Sequence, residues 1–383
     1  MFQSIAITGR GMVSALGLDV ETCCAAARAG ILRSRELAYF SVHNPEDGSV
    51  ENAIGHAADF LTQGFEGDAR LLRLLQAGLA DLMRQTPTKP WVHKKTGFYL
   101  SMPDPRRCYT GIDLIPDETE REALKQVAAQ VFESPLDTGN YQGMLNQAAA
   151  LCGWEGETTV KGVYLSDHTA VAEALMQAIN AITRKEIDIA IVGGAESLLE
   201  ENVLAWLENT GRLKSPAIGA GLQPGEASAF IVLQPLRDAA KLQDGVYGFI
   251  NHISFAEEDN TLLSGKTALG KALTRVISES TTQETEDNLT PVWLFSDING
   301  EVYRAMEWGY ATMRLTQQSE RYADPVLWFS AGAFGDTGAV NGAISICMAT
   351  EAFRHNYAPA STSVLLSSSD ARTRSAVVLT KSA

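Results

Sequence analysis

The sequence has neither a long uninterrupted run of apolar residues nor a clustered excess of basic ones. No apolar run approaches the twenty or so residues that a membrane-spanning helix requires, so we do not expect contact with a membrane. Lysine and arginine total 31 against 46 aspartates and glutamates, which gives a net charge of −15. Since a phosphate-binding surface is rich in clustered Lys and Arg, this charge argues against a nucleic-acid partner.

Cysteine is sparse and has no paired spacing. The five cysteines are odd in number and none belongs to a CxxC pair, which disfavours both a disulfide framework and a zinc site. We therefore expect buried free thiols and no metal. They are Cys23, Cys24, Cys108, Cys152 and Cys347. The N-terminus lacks the basic segment of a secretory signal peptide, so we expect a cytoplasmic protein.

The first glycine-rich segment lacks the spacing of a dinucleotide site. Gly9, Gly11 and Gly17 follow an apolar strand predicted at residues 5–8. The Rossmann fingerprint needs its third glycine three residues after the second, and here the interval is six. A nucleotide cofactor is therefore not expected, and no other cofactor is indicated.

Apolar runs typical of buried strands alternate with segments of helical periodicity. A helix is predicted at 68–84 and strands at 96–102 and in "VKGVYL". The last strand leads through "SDH" into a helix with apolar residues at 3.6-residue spacing, and then into the strand "IDIAIVGGAES". This unit predicts a βαβ crossover. The intervening segment 103–118 is punctuated by proline and predicts an irregular surface excursion.

The same order of elements recurs from about residue 244. Strands are predicted at 246–255 and in "PVWLFSD", "PVLWFSA" and "RSAVVLT", with a helix near 266–278. Repeated halves of alternating strand and helix predict a layered α/β architecture with buried sheets. We expect one compact unit built from residues 1–243 and 244–383.

Four stretches resemble the β-ketoacyl synthases, in the family's own order. "IAITGRGMVSALG" resembles the opening, "IDIAIVGGAES" the strand and glycine pair after the nucleophile helix, "PGEASAFIVLQ" the LGEGAG segment, and "GDTGAVNGAISI" the GAAGAVEA segment. The resemblance spans residues 5–345. It implies the thiolase-like α/β fold, with two related halves stacked as α/β/α/β/α layers and dimerisation through the central strands.

The resemblance places the family's catalytic positions on residues that lack its chemistry. Ketosynthases attack an acyl thioester with a cysteine at a helix N-terminus, and that position corresponds to His168. The two histidines and the lysine that assist enolate formation correspond to Asp297, Gly332 and Leu327. We therefore predict that no ketosynthase site is retained.

The family's glycine-rich FGFGGTNA loop, which gates the acyl pocket, also differs. The matching stretch is "SSSDARTRSA", in which residues 369–372 replace glycines and a phenylalanine. Because glycine permits positive φ and close backbone approach, this loss predicts a different loop conformation.

Two aspartates stand just before predicted helices. Asp167 lies in "LSDHTA" and Asp336 in "FGDTGA". A carboxylate at such a position accepts hydrogen bonds from backbone amides of the first turn. Both are interpreted as N-caps, with a role in catalysis as the alternative for Asp167.

His168 has two interpretations. It either pairs with Asp297 as a general base across the old pocket, or it fills that pocket as a hydrogen-bonded structural side chain. Glu301 and Arg304 likewise suit a buried salt bridge or a substrate clamp. The sequence does not decide between these readings.

Three classes of function remain open. We favour a catalytically degenerate ketosynthase-fold protein, a pseudoenzyme, that binds a protein partner as an adaptor or chaperone-like helper. The stretches "SDINGE" and "FGDTGA" are similar to those of bacterial accessory proteins encoded beside type VI secretion components, so a secretion effector is the expected partner.

The second class acts in fatty acid or polyketide synthesis. It is a β-ketoacyl-carrier-protein synthase-like acyltransferase, or a non-catalytic subunit resembling the chain-length factors, with an acyl carrier protein or a ketosynthase as partner. The third is an enzyme of replaced machinery, in which other catalytic groups stand in place of the ketosynthase residues. In it, His168 pairs with Asp297 and acts as a general base. A homodimer or a heterodimer is expected.

Overall fold

Twelve strands are found in the residues that the computed structural model describes, which are 5–44, 47–86, 91, 94–239, 245–281 and 292–382. The strands are β1 (Ile5–Ser14), β2 (Arg35–His43), β3 (Val50–Gly55), β4 (Thr96–Ser101), β5 (Val160–Tyr164), β6 (Ile189–Ser197), β7 (Glu226–Pro235), β8 (Gly248–Glu257), β9 (Trp293–Ser296), β10 (Val326–Phe329), β11 (Thr362–Ser368) and β12 (Thr373–Thr380).

Helices cover both faces of the sheet. In the same described ranges they are α1 (Val20–Arg28), α2 (Asp59–Thr62), α3 (Gly67–Gln85), α4 (Glu118–Glu133), α5 (Gly139–Cys152), α6 (Ala170–Thr183), α7 (Glu201–Asn209), α8 (Leu236–Ala239), α9 (Lys271–Thr281), α10 (Val302–Gln318), α11 (Ala331–Phe334) and α12 (Asn341–Arg354). None of these described helices is long and apolar enough to cross a membrane.

The strand order is the same in the two halves of the chain. Ten strands pair in the order β10-β9-β11-β12-β8-β1-β7-β6-β4-β5, and β2 and β3 form a separate two-stranded sheet. When the five strands that each half contributes to the large sheet are numbered in chain order, both halves have the order 3-2-4-5-1. The fifth strand of each half, β7 or β12, is antiparallel to its neighbours, whereas the second, third and fourth strands pair in parallel. The first strands of the two halves, β1 and β8, pair antiparallel where the halves meet. The predicted repeat of elements is thus present, although its boundary at 243/244 lies outside the described residues.

Two helices form a layer between the half-sheets. Helices α6 and α12 are buried over most of their length and share one apolar core with strands of both halves. Helices α3 and α5 pack on the outer face of the first half-sheet, and α9 and α10 on that of the second. This is the α/β/α/β/α layering of the thiolase-like fold.

The two central helices approach closely because small residues face each other. A side chain added at Gly342 of α12 would put its Cβ 2.9 Å from Cβ of Val171 in α6. Alanines at 170, 172, 174 and 178 make the rest of α6 narrow enough to lie between two sheets. The predicted crossover holds, with β5 and β6 both parallel to β4, which lies between them.

The segment predicted as a glycine-rich turn is part of a strand. β1 continues through Gly9 and Gly11 to Ser14, and a Cβ at Gly11 would lie 2.4 Å from the backbone nitrogen of Leu82 in α3. The glycines therefore allow α3 to lie directly on the strand. The predicted helix at 68–84 corresponds to α3.

Several elements were not predicted. They include the hairpin of β2 and β3, the strand β11 and the helices α4, α5, α7 and α10. Segment 103–118 contains two short 3-10 turns and packs partly against the body of the protein. The segment is therefore irregular, as predicted, but it does not lie wholly on the surface.

Candidate functional site

The turn between β5 and α6 determines the position of His168. Residues 167–169 make one 3-10 turn before α6 begins, and Asp167 has a φ of +52°. This left-handed value is uncommon for a residue other than glycine. The reversal carries His168 into the interior, where it is 4% exposed. The N-cap prediction for Asp167 is wrong, because Ser166 and Thr169 occupy the cap positions.

Both ring nitrogens of His168 have a hydrogen-bond partner. Nε2 lies 3.0 Å from Oδ1 of Asp336, and Nδ1 lies 3.1 Å from Nη2 of Arg304. A guanidinium only donates, so Nδ1 of the neutral ring accepts from Arg304 and Nε2 carries the proton donated to Asp336. The imidazole therefore has no free lone pair in this arrangement.

The charges around His168 act in opposite directions. Burial disfavours the imidazolium, but the Asp336 carboxylate outweighs burial and the repulsion from Arg304, so the pKa of His168 is raised. Protonation of Nδ1 breaks the hydrogen bond from Arg304, so the charged ring requires that guanidinium to move. Burial by itself raises the pKa of Asp336, but His168 and Arg304 hold it well below its ordinary value.

Arg304 is the centre of the polar contacts. Its Nη1 donates to Oδ2 of Asp297 at 2.9 Å and to the carbonyl of Ser368 at 2.8 Å. Its Nη2, besides contacting His168, donates to Oδ1 of Asp370 at 3.0 Å. The proposed direct pairing of His168 with Asp297 is therefore wrong, because Arg304 lies between them and binds both.

A second arginine closes the arrangement. Arg212 donates from Nε to Oε1 of Glu301 at 2.7 Å and from Nη1 to Oδ2 of Asp370 at 2.6 Å. Asn299 Nδ2 donates to Oε2 of Glu301 at 2.8 Å and to Oδ2 of Asp336 at 2.5 Å. We call this set the ion cluster. It comprises His168, Arg212, Asp297, Asn299, Glu301, Arg304, Asp336 and Asp370.

The ion cluster carries an excess of negative charge. It contains two arginines and four carboxylates, a formal balance of −2 with neutral His168. Asp167 lies beside it, where burial first and the charge of Asp370 second raise its pKa to about 7. Asp167 therefore holds a proton more readily than an ordinary aspartate does.

The interpretation of Glu301 and Arg304 as a buried salt bridge agrees with the geometry. Arg304 Nε lies 3.6 Å from Oε2 of Glu301, and both side chains are buried. Burial by itself lowers the pKa of Arg304, but the surrounding carboxylates raise it well above its ordinary value. Because both terminal nitrogens of Arg304 already donate to protein groups, the side chain is not available as a substrate clamp.

The other two aligned positions lie elsewhere. Gly332 is exposed on α11 and lines a cavity of about 460 Å³ with Cys24, Trp328 and Tyr357. Leu327 is half-buried on β10 and packs against the apolar core of the second half. The four positions aligned with the ketosynthase machinery are thus distributed over three environments.

The loop that replaces FGFGGTNA belongs to the ion cluster through Asp370. None of residues 369–372 has a positive φ, and Nη1 of Arg374 donates to the carbonyls of Ser369 and Ala371 at 2.9 and 3.1 Å. Arg374 is itself held by Oε1 of Glu307 at 2.7 Å. The loop is therefore pinned by side-chain hydrogen bonds.

A neighbouring ion pair links the 103–118 segment to β6. Arg107 donates to Oε1 of Glu196 at 2.6 Å and to the carbonyl of Ser197 at 2.7 Å. The other carboxylate oxygen of Glu196 accepts from the amide of Ala339, just before α12. This contact ties the irregular segment to the turn that carries Asp336.

The thiols do not form a reactive site. Cys23, Cys24 and Cys347 are buried as predicted, but Cys108 and Cys152 are only half-buried, which corrects the expectation for those two. Burial raises the pKa of Cys23 and Cys347 to about 12, so both stay neutral thiols. Among the described residues no group of three His, Cys, Asp or Glu side chains is placed to hold a metal ion.

Three members of the ion cluster were missed by the sequence analysis: Arg212, Asn299 and Asp370. Arg212 sits in "TGRLKS", where nothing in the pattern separates it from an exposed arginine. Asn299 lies two residues after a predicted strand, and Asp370 stands in a loop flanked by one. Polar residues at the ends of buried strands are the signal that could have identified these last two.

The sequence model of the β-ketoacyl synthase N-terminal domain matches residues 101–239, which include the turn with His168. No curated protein sequence matches the chain.

Solved ketosynthases share the fold over the whole chain. The ketosynthase from module 6 of the bacillaene synthase from Bacillus subtilis 168 is 13% identical with a TM-score of 0.71, covering 100% of this chain and 72% of that one. A type II polyketide synthase acyl-carrier protein in complex with its ketosynthase is 13% identical at 0.73, and the ishigamide ketosynthase/chain length factor 14% identical at 0.74, each covering 100% of both chains. The predicted thiolase-like fold is confirmed.

Proposed function

We propose that this protein is a ketosynthase-fold protein without acyltransferase activity that acts by binding another protein. The observation that carries the proposal is the closure of the ion cluster around His168. The residue at the position of the family's nucleophile is 4% exposed, and both of its ring nitrogens are hydrogen-bonded to protein side chains.

A nucleophile or general base must present a free lone pair to its substrate. Nδ1 of His168 accepts from Arg304, and Nε2 donates its proton to Asp336. Asp297 is held in the same cluster, since its Oδ2 accepts from both Arg304 and the amide of Ser368. An acyl thioester therefore meets polar groups that already bind one another.

Turnover of acyl thioesters tests the loss of activity. The purified protein is incubated with acetyl-, hexanoyl- and malonyl-thioesters, and both thiol release and the intact protein mass are followed. We expect thiol release at the rate of the matched His168→Ala variant and no acyl adduct. Thiol release that His168→Ala abolishes would overturn the proposal and favour the enzyme of replaced machinery.

We propose further that the partner, or a second copy, adds to the sheet at β5. This strand lies at one edge and pairs only with β4 among the described strands, and Lys161 near its centre is exposed. An open edge offers unpaired backbone groups to another strand.

Cross-linking tests the β5 edge. In an antiparallel pair of β5 strands the two copies of residue 161 lie close together, so Lys161→Cys is expected to give a covalent dimer with a short bis-maleimide. The control Lys271→Cys, exposed on α9, is expected to give none above the wild-type background. A monomer in light scattering, with no cross-link at residue 161, would contradict a homodimer.

Two partners are proposed for the binding function. The first proposed partner is an effector delivered by type VI secretion, and this proposal rests on the sequence resemblance. A subunit role beside a ketosynthase is favoured by the similarity to the ishigamide ketosynthase/chain length factor over the full length of both chains.

Co-purification of the tagged protein from its own host distinguishes the two. Recovery of a secretion component or toxin-like effector without an acyl carrier protein supports the adaptor role. Recovery of an acyl carrier protein or an intact ketosynthase supports the subunit role.

A further inference from the structure

The cavity beside β10 is separate from the ion cluster and has the opposite chemistry. It encloses about 460 Å³ between α1, the end of β10, α11 and α12. That volume lies within the range of small-molecule sites. Its walls are mainly apolar or aromatic, and the side chains that matter here are those of Cys24, Trp328, Phe329, Met348 and Tyr357.

Aromatic contacts behind the cavity hold its wall in place. The ring of Trp328 stacks on that of Tyr357 with centroids 6.2 Å apart and an angle of 17° between the planes. On its other side Trp328 meets Trp293 and Phe295 edge-on, at 4.9 and 5.4 Å. Trp293 is itself fully buried, so the wall is fixed before any ligand arrives.

One uncompensated cation stands at the rim. The guanidinium of Arg28 lies 4.1 Å from the centroid of the Tyr357 ring. Arg28 is exposed and makes no ion pair or hydrogen bond within the described residues, although the chain as a whole carries a charge of −15. The neighbouring Arg354, by contrast, is paired with Glu21.

The cavity also has room that its own residues do not use. A Cβ placed at Gly332 meets no atom within 4 Å, so this side of the cavity is open space. Burial raises the pKa of Cys24 well above its ordinary value, so the thiol contributes neutral, weakly polar surface.

We propose that this cavity binds a small aromatic carboxylate. The flat body of the ligand packs against Trp328 and Tyr357, and its carboxylate is bound by Arg28 at the rim. A carboxylate can accept charge-assisted hydrogen bonds from the Arg28 guanidinium, and an aromatic ring can pack against the apolar walls. A ligand that has only one of these groups would leave either the cation or the apolar walls without a partner.

The probe is 2-naphthoate, with neutral 2-naphthamide as its matched control, measured by calorimetry and by ligand-observed NMR on the full chain. We expect saturable binding of 2-naphthoate with a dissociation constant at or below about 1 mM, and binding of the amide weaker by about tenfold. Arg28→Ala is expected to weaken the binding of 2-naphthoate by about tenfold and to leave the binding of the amide unchanged.

Gly332→Phe fills the open side of the cavity and is expected to abolish binding of both compounds. Both substitutions are at exposed positions, and circular dichroism and the unfolding midpoint confirm that the variants fold. The proposal is overturned by a dissociation constant above about 1 mM for the wild type, or by binding that Gly332→Phe leaves intact. Equal affinity of the acid and the amide would overturn the assignment to a carboxylate.

Discussion

β5 and β10 are the third strands of their halves, and both lie at an edge of the sheet. The turn after β5 carries His168 into a set of buried charges that bind one another. The turn after β10 places Gly332 beside a cavity that is apolar and open to solvent. Equivalent places in one repeated architecture therefore have opposite chemistry.

The difference shows that equivalent turns of one scaffold can be filled with buried charges or left apolar and open. At the first turn, charged side chains such as Arg304 and Asp370 fill the interior, and Arg304 binds His168. At the second, Gly332 leaves open space beside apolar walls. Substitutions in the ion cluster should accordingly cost much stability, and those at the cavity little.

The largest effect is expected for Arg304→Leu. It removes the donor to His168, Asp297 and Asp370 and leaves buried carboxylates unpaired, which costs about 3–5 kcal/mol of unfolding free energy. Urea denaturation measures it. The matched control is Arg275→Ala, an exposed i,i+4 pair with Glu279, for which a loss of about 0.5 kcal/mol or less is expected. Equal losses in the two variants would show that the ion cluster is not closed.

Asp336→Asn is expected to cost about 1.5–3 kcal/mol at pH 7, because hydrogen bonds to a charged acceptor are lost. Since the pKa of Asp336 is lowered on folding, its carboxylate stabilises the protein above the unfolded pKa near 4, and this contribution is lost as the pH falls. The difference between variant and wild type should therefore shrink towards pH 3. A difference that stays constant from pH 7 to pH 3 would contradict a charged Asp336.

Asp167→Asn is expected to change the pH dependence of the unfolding free energy in the direction opposite to that of Asp336→Asn. The pKa of Asp167 is raised to about 7 on folding, so the folded state holds a proton that the unfolded state releases, and stability falls as the pH rises from about 4 to about 7. Asparagine tolerates the left-handed φ and removes this titration.

The measurement for Asp167→Asn is the unfolding free energy at pH 4 and at pH 8. The stability of the variant relative to wild type is expected to improve by at least about 1.4 kcal/mol between them, the value of one pKa unit. Parallel pH profiles for the two proteins would show that Asp167 ionises normally.

The smallest effect is expected at the cavity. Gly332→Ala introduces a Cβ into open space on α11 and should stabilise the protein by about 0.4–1 kcal/mol, because it restricts the unfolded chain. The control Gly193→Ala should destabilise strongly, since Gly193 has a φ of +144° and its Cβ would lie 1.9 Å from the carbonyl oxygen of Ala229. A loss of stability in Gly332→Ala would mean that the cavity is filled in solution.

The fold was predictable to a greater extent than the ion cluster. Apolar periodicity locates most of the strands and the helix α6, and the recurring order of these elements indicates the repeated halves, because burial of whole elements leaves a pattern in the sequence. The contact from Arg304 to His168 joins residues 136 positions apart and has no such pattern. Only the polar character of "SDH" and "SDING" indicates that a buried polar site exists there.

The errors have the same origin. Asp167 looks like an N-cap because local sequence cannot reveal a positive φ imposed by the packing around it. Similarly, Gly9 and Gly11 suggest a turn, whereas they are strand positions that allow α3 to pack on β1. In both cases tertiary contacts override the local preference of the residues.

Carbethoxylation of histidines in the folded protein tests the central claim most directly. Diethyl pyrocarbonate reacts with accessible imidazoles that have a free lone pair, and the modified residues are identified by peptide mass spectrometry. His355, whose side chain is 53% exposed, serves as the internal standard for His168, whose side chain is 6% exposed and hydrogen-bonded at both nitrogens. We predict that His355 is modified while His168 is not until the protein unfolds. Modification of His168 at the rate of His355 would show that its lone pair is open to small reagents and would contradict the closed ion cluster.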